Sequence, residues 1–216
     1  MGQKVNPTSF RIGTIFSWKS RWFSDRKHYS DIMLEDHKIR GFMQKRLANA
    51  GLVQVDIERL FAKIKIVLFV SRPGVVIGKG GVNLEVLKKE VDRVINVAKD
   101  KKNKLHIELK VNEVTQPELS AKLVAERIIM QLINRYPHRR AVTQALDNVM
   151  GGGAKGVKIQ LGGRVGGAEI SRREKYYRGS VPTQTLRANI DYHEAPAATR
   201  SGYVGVKVWI NKGEVV

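Results

Sequence analysis

The chain has 216 residues and no cysteine, and this absence removes two kinds of architecture. Disulfide bonds and cysteine-ligated zinc sites are excluded, and a reducing cytosolic setting is compatible with the chain. Acidic residues are scarce as well, because 20 Asp and Glu stand against 39 Lys and Arg, a net charge of +19. Such an excess repels itself unless a polyanion neutralises it. Nucleic acid is therefore the first candidate partner, and an anionic membrane surface is the second.

Long apolar runs and catalytic motifs are also missing. No run approaches the roughly 18 residues that a membrane-spanning helix needs. The N-terminal stretch MGQKVNPTSFRIG has no apolar core, so we expect no signal peptide. The five histidines show no H-x-x-x-H or H-E-x-x-H spacing, and the chain has no G-x-S-x-G motif. We therefore expect no enzymatic activity, no catalytic residues, no metal and no cofactor.

Hydrophobic residues make up 42% of the chain, and their spacing predicts an α+β protein with two folded domains. The first domain is predicted to run helix, strand, strand, short helix, glycine loop, helix, strand. Its longer helices are predicted at 30–50 and 82–98, and its strands at 53–60, 62–71 and 105–111. A charged turn is predicted at 99–104. The second domain is predicted to have helices at 117–136 and 138–150, followed by about four strands.

The first 28 residues are predicted to form a basic arm. Six Lys and Arg residues face one acidic residue, Asp25, and aromatic side chains are interleaved with them. One interpretation is a tail that its aromatics fasten to the protein. The other is an arm that threads into folded RNA, and the two are compatible. At this charge we expect the arm to be unordered without RNA.

Glycine clusters form three candidate phosphate loops: GKGG at 78–81, GGGAKG at 151–156 and GGRVGG at 162–167. None is a Walker loop, because neither Lys79 nor Lys155 is followed by Ser or Thr. None is a dinucleotide-binding fingerprint with its later acidic residue. A simple helix-entering turn would explain GKGG, since glycine adopts positive φ without steric cost. A helix N-terminus that favours anions, with Lys79 beside it, points instead to phosphate binding.

The element order around VIGKGG resembles a KH domain of the type found in bacterial proteins. In such domains a GxxG loop clamps about four nucleotides of single-stranded backbone. Gly78 and Gly81 match the fixed glycines of that loop, and Lys79 and Gly80 fill its variable pair. The resemblance implies a type II KH domain over residues 29–112, with a mixed three-stranded sheet. A C-terminal α+β RNA-binding domain, two helices on about four strands, would then span 113–216.

A wider resemblance covers the whole chain. MGQKVNP, RPGVVIGKGG, PELSAKLVAERI, GAKGVKIQLGGRVGGAEISR and GYVGVKVWI follow in an order that resembles the family of bacterial small-subunit ribosomal protein three. The resemblance implies a structural, cytoplasmic constituent of the ribosome that binds ribosomal RNA in the subunit head and lines the tunnel where mRNA enters. It also implies partners. These would be ribosomal RNA, mRNA, ribosomal proteins ten and fourteen in the head, and proteins four and five around the tunnel.

The resemblance and the charge pattern together single out basic residues. Arg139 and Arg140 match an arginine pair that faces incoming mRNA in the family and helps unwind it. The family's third basic residue falls at Thr143, which puts the strength of unwinding in doubt. In the second domain, arginines beside glycines favour RNA docking over a merely solvated hairpin. We expect ribosomal RNA to bind Lys4, Arg11, Lys155, Arg164, Arg172, Arg173, Lys175 and Arg178.

Two other functions are considered for the sequence. One is a nuclease or lyase that acts on damaged DNA, an activity linked to some relatives outside bacteria. No nucleophile or metal-binding group supports this reading. The other is a free regulatory KH protein that binds mRNA, which would need neither the basic arm nor the arginine cluster of the second domain.

Overall fold

The computed structural model describes residues 4–60, 63–96 and 106–215. It forms two compact units, a central unit of Trp18–Thr115 and a terminal unit of Met1–Ser17 with Gln116–Val216. The residues predicted as one N-terminal arm are thus divided between the two units. The predicted charged turn at 99–104 lies outside the described residues.

The described residues form six α-helices and eight strands. In chain order they are α1 (Pro7–Phe10), β1 (Ser20–Arg21), α2 (Tyr29–Arg46), β2 (Leu52–Leu60), β3 (Lys63–Val70), α3 (Pro73–Ile77), α4 (Val82–Asn96), β4 (His106–Glu113), α5 (Ala121–Ile133), α6 (His138–Gly151), β5 (Gly156–Gly163), β6 (Arg172–Gly179), β7 (Ala188–Thr199) and β8 (Gly202–Glu214).

The central unit is a mixed sheet in the order β1-β2-β3-β4. β2 and β3 pair antiparallel, whereas β1 pairs with β2, and β3 with β4, in parallel. Alternating apolar residues of β2 and β3 supply Ile57, Ile66 and Leu68 to a core completed by α2 and α4. The predicted α+β class is confirmed. The sheet has four strands rather than the predicted three, because the two residues of β1 pair with Ile57 and Glu58.

The terminal unit is an antiparallel sheet in the order β6-β5-β8-β7. Every second residue of β5 and β8 is apolar and buried, so one face of the sheet builds a core with α5 and α6. That core holds Val157, Ile159 and Leu161 from β5, and Ile128 from α5. The prediction of two helices on about four strands is confirmed.

Arg11 corrects one sequence prediction. Its side chain is fully buried in the terminal unit, where the guanidinium donates to the carbonyl oxygens of Pro7, Thr183, Thr185 and Ala188 at 2.7–3.0 Å. A buried guanidinium whose donors are occupied by protein oxygens presents no group to a phosphate. Arg11 therefore fastens the N-terminal segment to the loop before β7, and we remove it from the RNA-binding residues.

The later part of the predicted arm is held by the central unit. Trp22 Nε1 donates to Asp36 Oδ2 at 2.8 Å, and the Arg59 guanidinium binds both Asp36 and its neighbour Glu35. The three charged side chains of this group are at most 9% exposed. Such pairs are costly to break, because removal of one partner leaves a buried charge. This packing supports the interpretation of a tail fastened to the protein.

Candidate nucleic-acid interface

The GKGG loop joins α3 to α4 and has a backbone that favours glycine. Gly78, Gly80 and Gly81 have φ of 72°, 63° and 82°, in the left-handed region. A Cβ on Gly78 would also lie 2.7 Å from the Asn83 side chain, which donates to the carbonyl of Val75. Lys79 is exposed, and a Cβ on Gly80 would meet open space. The loop thus presents one cation and bare backbone to the solvent.

A groove of about 200 Å³ lies beside the loop, between the end of α2 and the start of α4. Leu47, Val75, Val76, Val86 and Leu87 give it apolar walls. Val75 and Val86 remain 51% and 40% exposed. Arg46, Asn49 and Asn83 complete the lining. A groove of mixed apolar and polar lining next to a cationic glycine loop offers a surface for bases beside a contact for phosphates, as single-stranded nucleic acid requires.

The first turn of α6 carries the arginine pair. Arg139 and Arg140 are exposed, and the turn contains no acidic residue. Cations at this end of a helix oppose the helix dipole, at a cost of about 0.3–1 kcal/mol each. Thr143 lies one turn further and is exposed, but its hydroxyl donates to the carbonyl of Arg139 at 2.9 Å. The residue that departs from the family pattern therefore lies on the same side of the helix as Arg139.

The arginine cluster of β6 is divided between the two faces of the sheet. β6 pairs with β5 in a register that places Glu174 opposite Leu161 and Lys175 opposite Gln160. Because side chains alternate along a strand, Arg172 and Arg178 lie on the helix-covered face with Leu161. Arg173 and Lys175 lie on the opposite face. The sequence placed these residues in one cluster, whereas the fold separates them.

The basic residues on the helix-covered face of β6 are paired with acids. Arg172 binds Glu174 at 2.7 Å, and Arg178 binds Asp147 of α6. Glu174 also accepts a hydrogen bond from Tyr176 Oη at 2.6 Å and lies 3.1 Å from His138 Nε2. The Tyr176 hydrogen bond, together with the His138 and Arg172 charges, lowers the pKa of Glu174 below its ordinary value. These pairs fasten β6 to α6 and reduce the charge available to RNA on this face.

The opposite face gathers cations that the sequence analysis did not single out. Lys158 of β5 and Lys207 of β8 lie on this face with Arg173 and Lys175. Burial, together with the nearby charges of Lys4 and Lys175, lowers the pKa of Lys158. The alternation of apolar and basic residues in VKIQL and VGVKVWI contained the signal for both missed lysines, because apolar residues that face the core leave the lysines on the other side.

The other residues that were predicted to bind ribosomal RNA lie at separate places in the terminal unit. Lys4, Lys155 and Arg164 are all exposed, although Arg164 Nε donates to the carbonyl of Ala168 at 2.8 Å. Gly156, next to Lys155, has a packing role, since a Cβ there would lie 2.2 Å from the carbonyl oxygen of Ser180. The fold itself therefore requires glycine at this position of the GGGAKG cluster.

The described residues contain neither a membrane-spanning helix nor a metal-binding cluster. None of their helices is long and apolar enough to cross a membrane. Across residues 4–60, 63–96 and 106–215, no group of three or more His, Cys, Asp or Glu side chains is placed to hold a metal ion.

Comparison with known proteins agrees with this architecture. Residues 38–119 match the family model of the KH domain, and residues 128–210 match that of ribosomal protein S3, C-terminal domain. Small ribosomal subunit protein uS3 of Persephonella marina is 50% identical over 99% of this chain and 91% of its own length. The uS3 of Syntrophobacter fumaroxidans is 49% identical over the full length of both chains. That of Clostridium botulinum strain Okra is 44% identical over 100% of this chain and 94% of its own.

The two family models lie in the same order as the two folded regions, and identity of 44–50% extends over nearly the whole chain. The relatives are structural ribosomal proteins and not enzymes, so the nuclease reading is set aside. The sequence-based resemblance is thereby confirmed: the chain belongs to the family of small ribosomal subunit protein uS3.

Proposed function

We propose that this protein binds ribosomal RNA in the head of the small subunit and presents Arg139 and Arg140 to mRNA where it enters. Membership of the uS3 family makes it a structural, RNA-binding constituent of the small subunit of the cytoplasmic ribosome. The finer role at the mRNA path is our inference. In the same proposal its neighbours are ribosomal proteins ten and fourteen in the head, and four and five around the tunnel.

The observation that carries the proposal is the exposed arginine pair in the first turn of α6. Arg139 and Arg140 are both exposed at the positive end of the helix dipole. Arg139 is hydrogen-bonded to Tyr176, and neither arginine forms an ion pair within the described part of the chain. Placement of cations there is unfavourable for the isolated helix, whereas a bound phosphate chain would reverse the sign of the interaction. Guanidinium groups suit this task, because they bind phosphate oxygens in a bidentate way.

The KH loop and its groove supply a second single-strand contact in the proposal. Lys79 offers one cation, and the glycines on both sides of it let a phosphate approach the main chain. We assign the loop to passing mRNA. The exposed Lys155 and Arg164 of the terminal unit contact ribosomal RNA in the same proposal.

The role at the mRNA path is tested by Arg139→Ala/Arg140→Ala in ribosomes. We expect slower translation through a stable mRNA hairpin and an unchanged rate on unstructured mRNA, because the cations act only where strands must be separated. Single-ribosome or bulk elongation rates on paired templates measure this. Thr143→Lys should speed translation through the hairpin, since it adds a cation one turn from Arg139.

Arg135→Ala is a matched control, since it removes one exposed arginine just before α6. With this variant, the rate of translation on both mRNA templates should equal the wild-type rate. If the double variant assembles into subunits and passes the hairpin as fast as wild type, the role in unwinding is refuted.

A further inference from the structure

The face of the terminal sheet opposite α5 and α6 has an ordered surface, which we name the open sheet face. Its cross-strand rows follow from the strand register. One row contains Lys175, Gln160, Lys207 and Glu194. The next row toward the other end contains Arg173, Gly162, Gly205 and Pro196. Rows along a strand are separated by roughly 7 Å, two residues of rise. The glycines Gly162 and Gly205 thus lie side by side, next to a row that carries Lys175 and Lys207.

Neither the backbone conformation nor the available space requires glycine at the two paired glycine positions of this face. Gly162 and Gly205 lie opposite each other in β5 and β8, and neither has a positive φ. A Cβ on Gly162 would approach nothing closer than Arg173 Cγ at 4.0 Å, and one on Gly205 nothing closer than a carbonyl oxygen at 3.7 Å. Both distances are ordinary contacts. The fold would accept a larger residue at either position.

Glycine within a strand is nevertheless unfavourable, because it loses more backbone entropy and packs no side chain. Two such residues side by side, with no steric need in the fold, mark a place where another backbone or a ligand approaches closely. This observation is independent of the charges around the pair.

The charge of the open sheet face selects the chemistry of that ligand. The open sheet face carries four cations on three strands, against Glu194 of β7. The cations are Arg173 and Lys175 of β6, Lys158 of β5 and Lys207 of β8. Glu194 is already bound by Tyr192 Oη at 2.5 Å and Lys207 Nζ at 3.0 Å. Lys175 and Arg173 are exposed. An excess of cations around a flat strip fits a polyanion rather than an acidic or apolar protein surface.

An exposed aromatic residue adds a further feature. Tyr177 follows Lys175 on the same face of β6 and is 74% exposed. Lys158 lies 5.2 Å from the centre of the Trp209 ring, so its ammonium group is held on this face. Aromatic side chains beside cations are typical of surfaces that bind nucleic acid, where they pack on sugars and bases.

We propose that the open sheet face is a docking surface for the sugar–phosphate backbone of ribosomal RNA, with the Gly162–Gly205 pair as its point of closest approach. The proposal deepens the RNA-binding role stated above and rests on it. The terminal unit then has two distinct RNA-facing surfaces, since Arg139 and Arg140 belong to a helix on the other face of the sheet.

The first test is the full-length variant Gly162→Val/Gly205→Val. We expect an equal or higher melting temperature, because valine suits a strand better than glycine. Retention of the variant by small subunits through a high-salt wash should fall by about tenfold, since a lost set of phosphate contacts weakens binding steeply with salt. Asn112→Val is the control, because it places the same side chain on strand β4 of the central unit, outside the open sheet face, and should bind within about twofold of wild type.

Two single variants compare the contributions of the two faces of β6 in the same retention assay. Lys175→Ala should weaken retention, whereas Arg172→Ala should leave retention near wild type and lower stability, because Arg172 is paired with Glu174. A stable valine variant that is retained as well as wild type refutes the docking surface.

The second test identifies the occupant and uses the absence of cysteine. A single Ala198→Cys substitution gives one thiol at the rim of the open sheet face, on the edge strand β7, to which an iron chelate can be attached in otherwise unmodified protein. In assembled subunits we expect hydroxyl radicals from this position to cleave ribosomal RNA. Cleavage of a neighbouring protein without RNA cleavage would overturn the proposal in favour of a protein partner. Both tests are independent of mRNA, so failure of the role at the mRNA path would leave them unchanged.

Discussion

At the scale of single residues, charge alone does not identify an RNA contact. Arg11 and Arg173 are both arginines in strongly basic surroundings, yet the first is buried among four carbonyl oxygens and the second is exposed. The sequence had no means of separating them. Three of the four carbonyl partners of Arg11 lie 172–177 residues further along the chain, so no local pattern reveals them.

Arg11→Ala is expected to destabilise the terminal unit by about 3 kcal/mol, because several carbonyl oxygens lose a charged donor inside the protein. Urea unfolding of the purified protein measures this change. Arg26→Ala, which removes an exposed arginine of the same N-terminal stretch, should change stability by less than about 0.5 kcal/mol. Equal unfolding midpoints for the two variants would contradict the structural role of Arg11.

At the scale of elements, hydrophobic spacing predicted most of the helices and strands. It predicted α4 and α6 to within a few residues, since both carry a clear apolar stripe. It missed β1, because two residues hold no periodicity and their pairing with β2 depends on tertiary context. It also could not divide the arginines of β6 between faces, because the faces depend on the register with β5.

The GKGG loop gives a prediction at the same scale. Lys79→Asp should reduce the salt dependence of binding to a single-stranded RNA oligonucleotide by about 0.7 in log–log slope, the value for one lost phosphate contact. Thermal stability should stay near wild type, because Lys79 is exposed.

Filter binding of the full-length protein across a potassium chloride series measures this slope. Lys89→Asp makes the same charge change on an exposed position of α4 and serves as the control. If the two variants show the same log–log salt slope, Lys79 of the loop makes no specific contact with phosphate.

At the scale of the whole molecule, the net charge of +19 opposes the stability of the free protein and favours its complex with RNA. Salt should therefore act on the two in opposite directions. An increase from about 10 mM to about 100 mM potassium chloride shortens the Debye length from about 30 Å to about 10 Å. Over this range we expect the melting temperature of the free protein to rise and its affinity for ribosomal RNA to fall.

Differential scanning calorimetry and filter binding in the same buffers test this pair of trends. A melting temperature that falls with salt would show that attractive ion pairs, such as Arg59 with Asp36, dominate over the overall repulsion.

The discontinuous terminal unit has a consequence for the time course of synthesis. Its first segment leaves the translating ribosome early, but the oxygens that receive Arg11 belong to Thr183, Thr185 and Ala188. The stretch Trp18–Thr115 is complete well before those residues are made. The KH domain of a nascent chain can therefore fold before three of the carbonyl acceptors of Arg11 have been synthesised. The N-terminal segment reaches its final place only once almost the entire chain exists, so a prematurely ended chain would leave that segment unfastened.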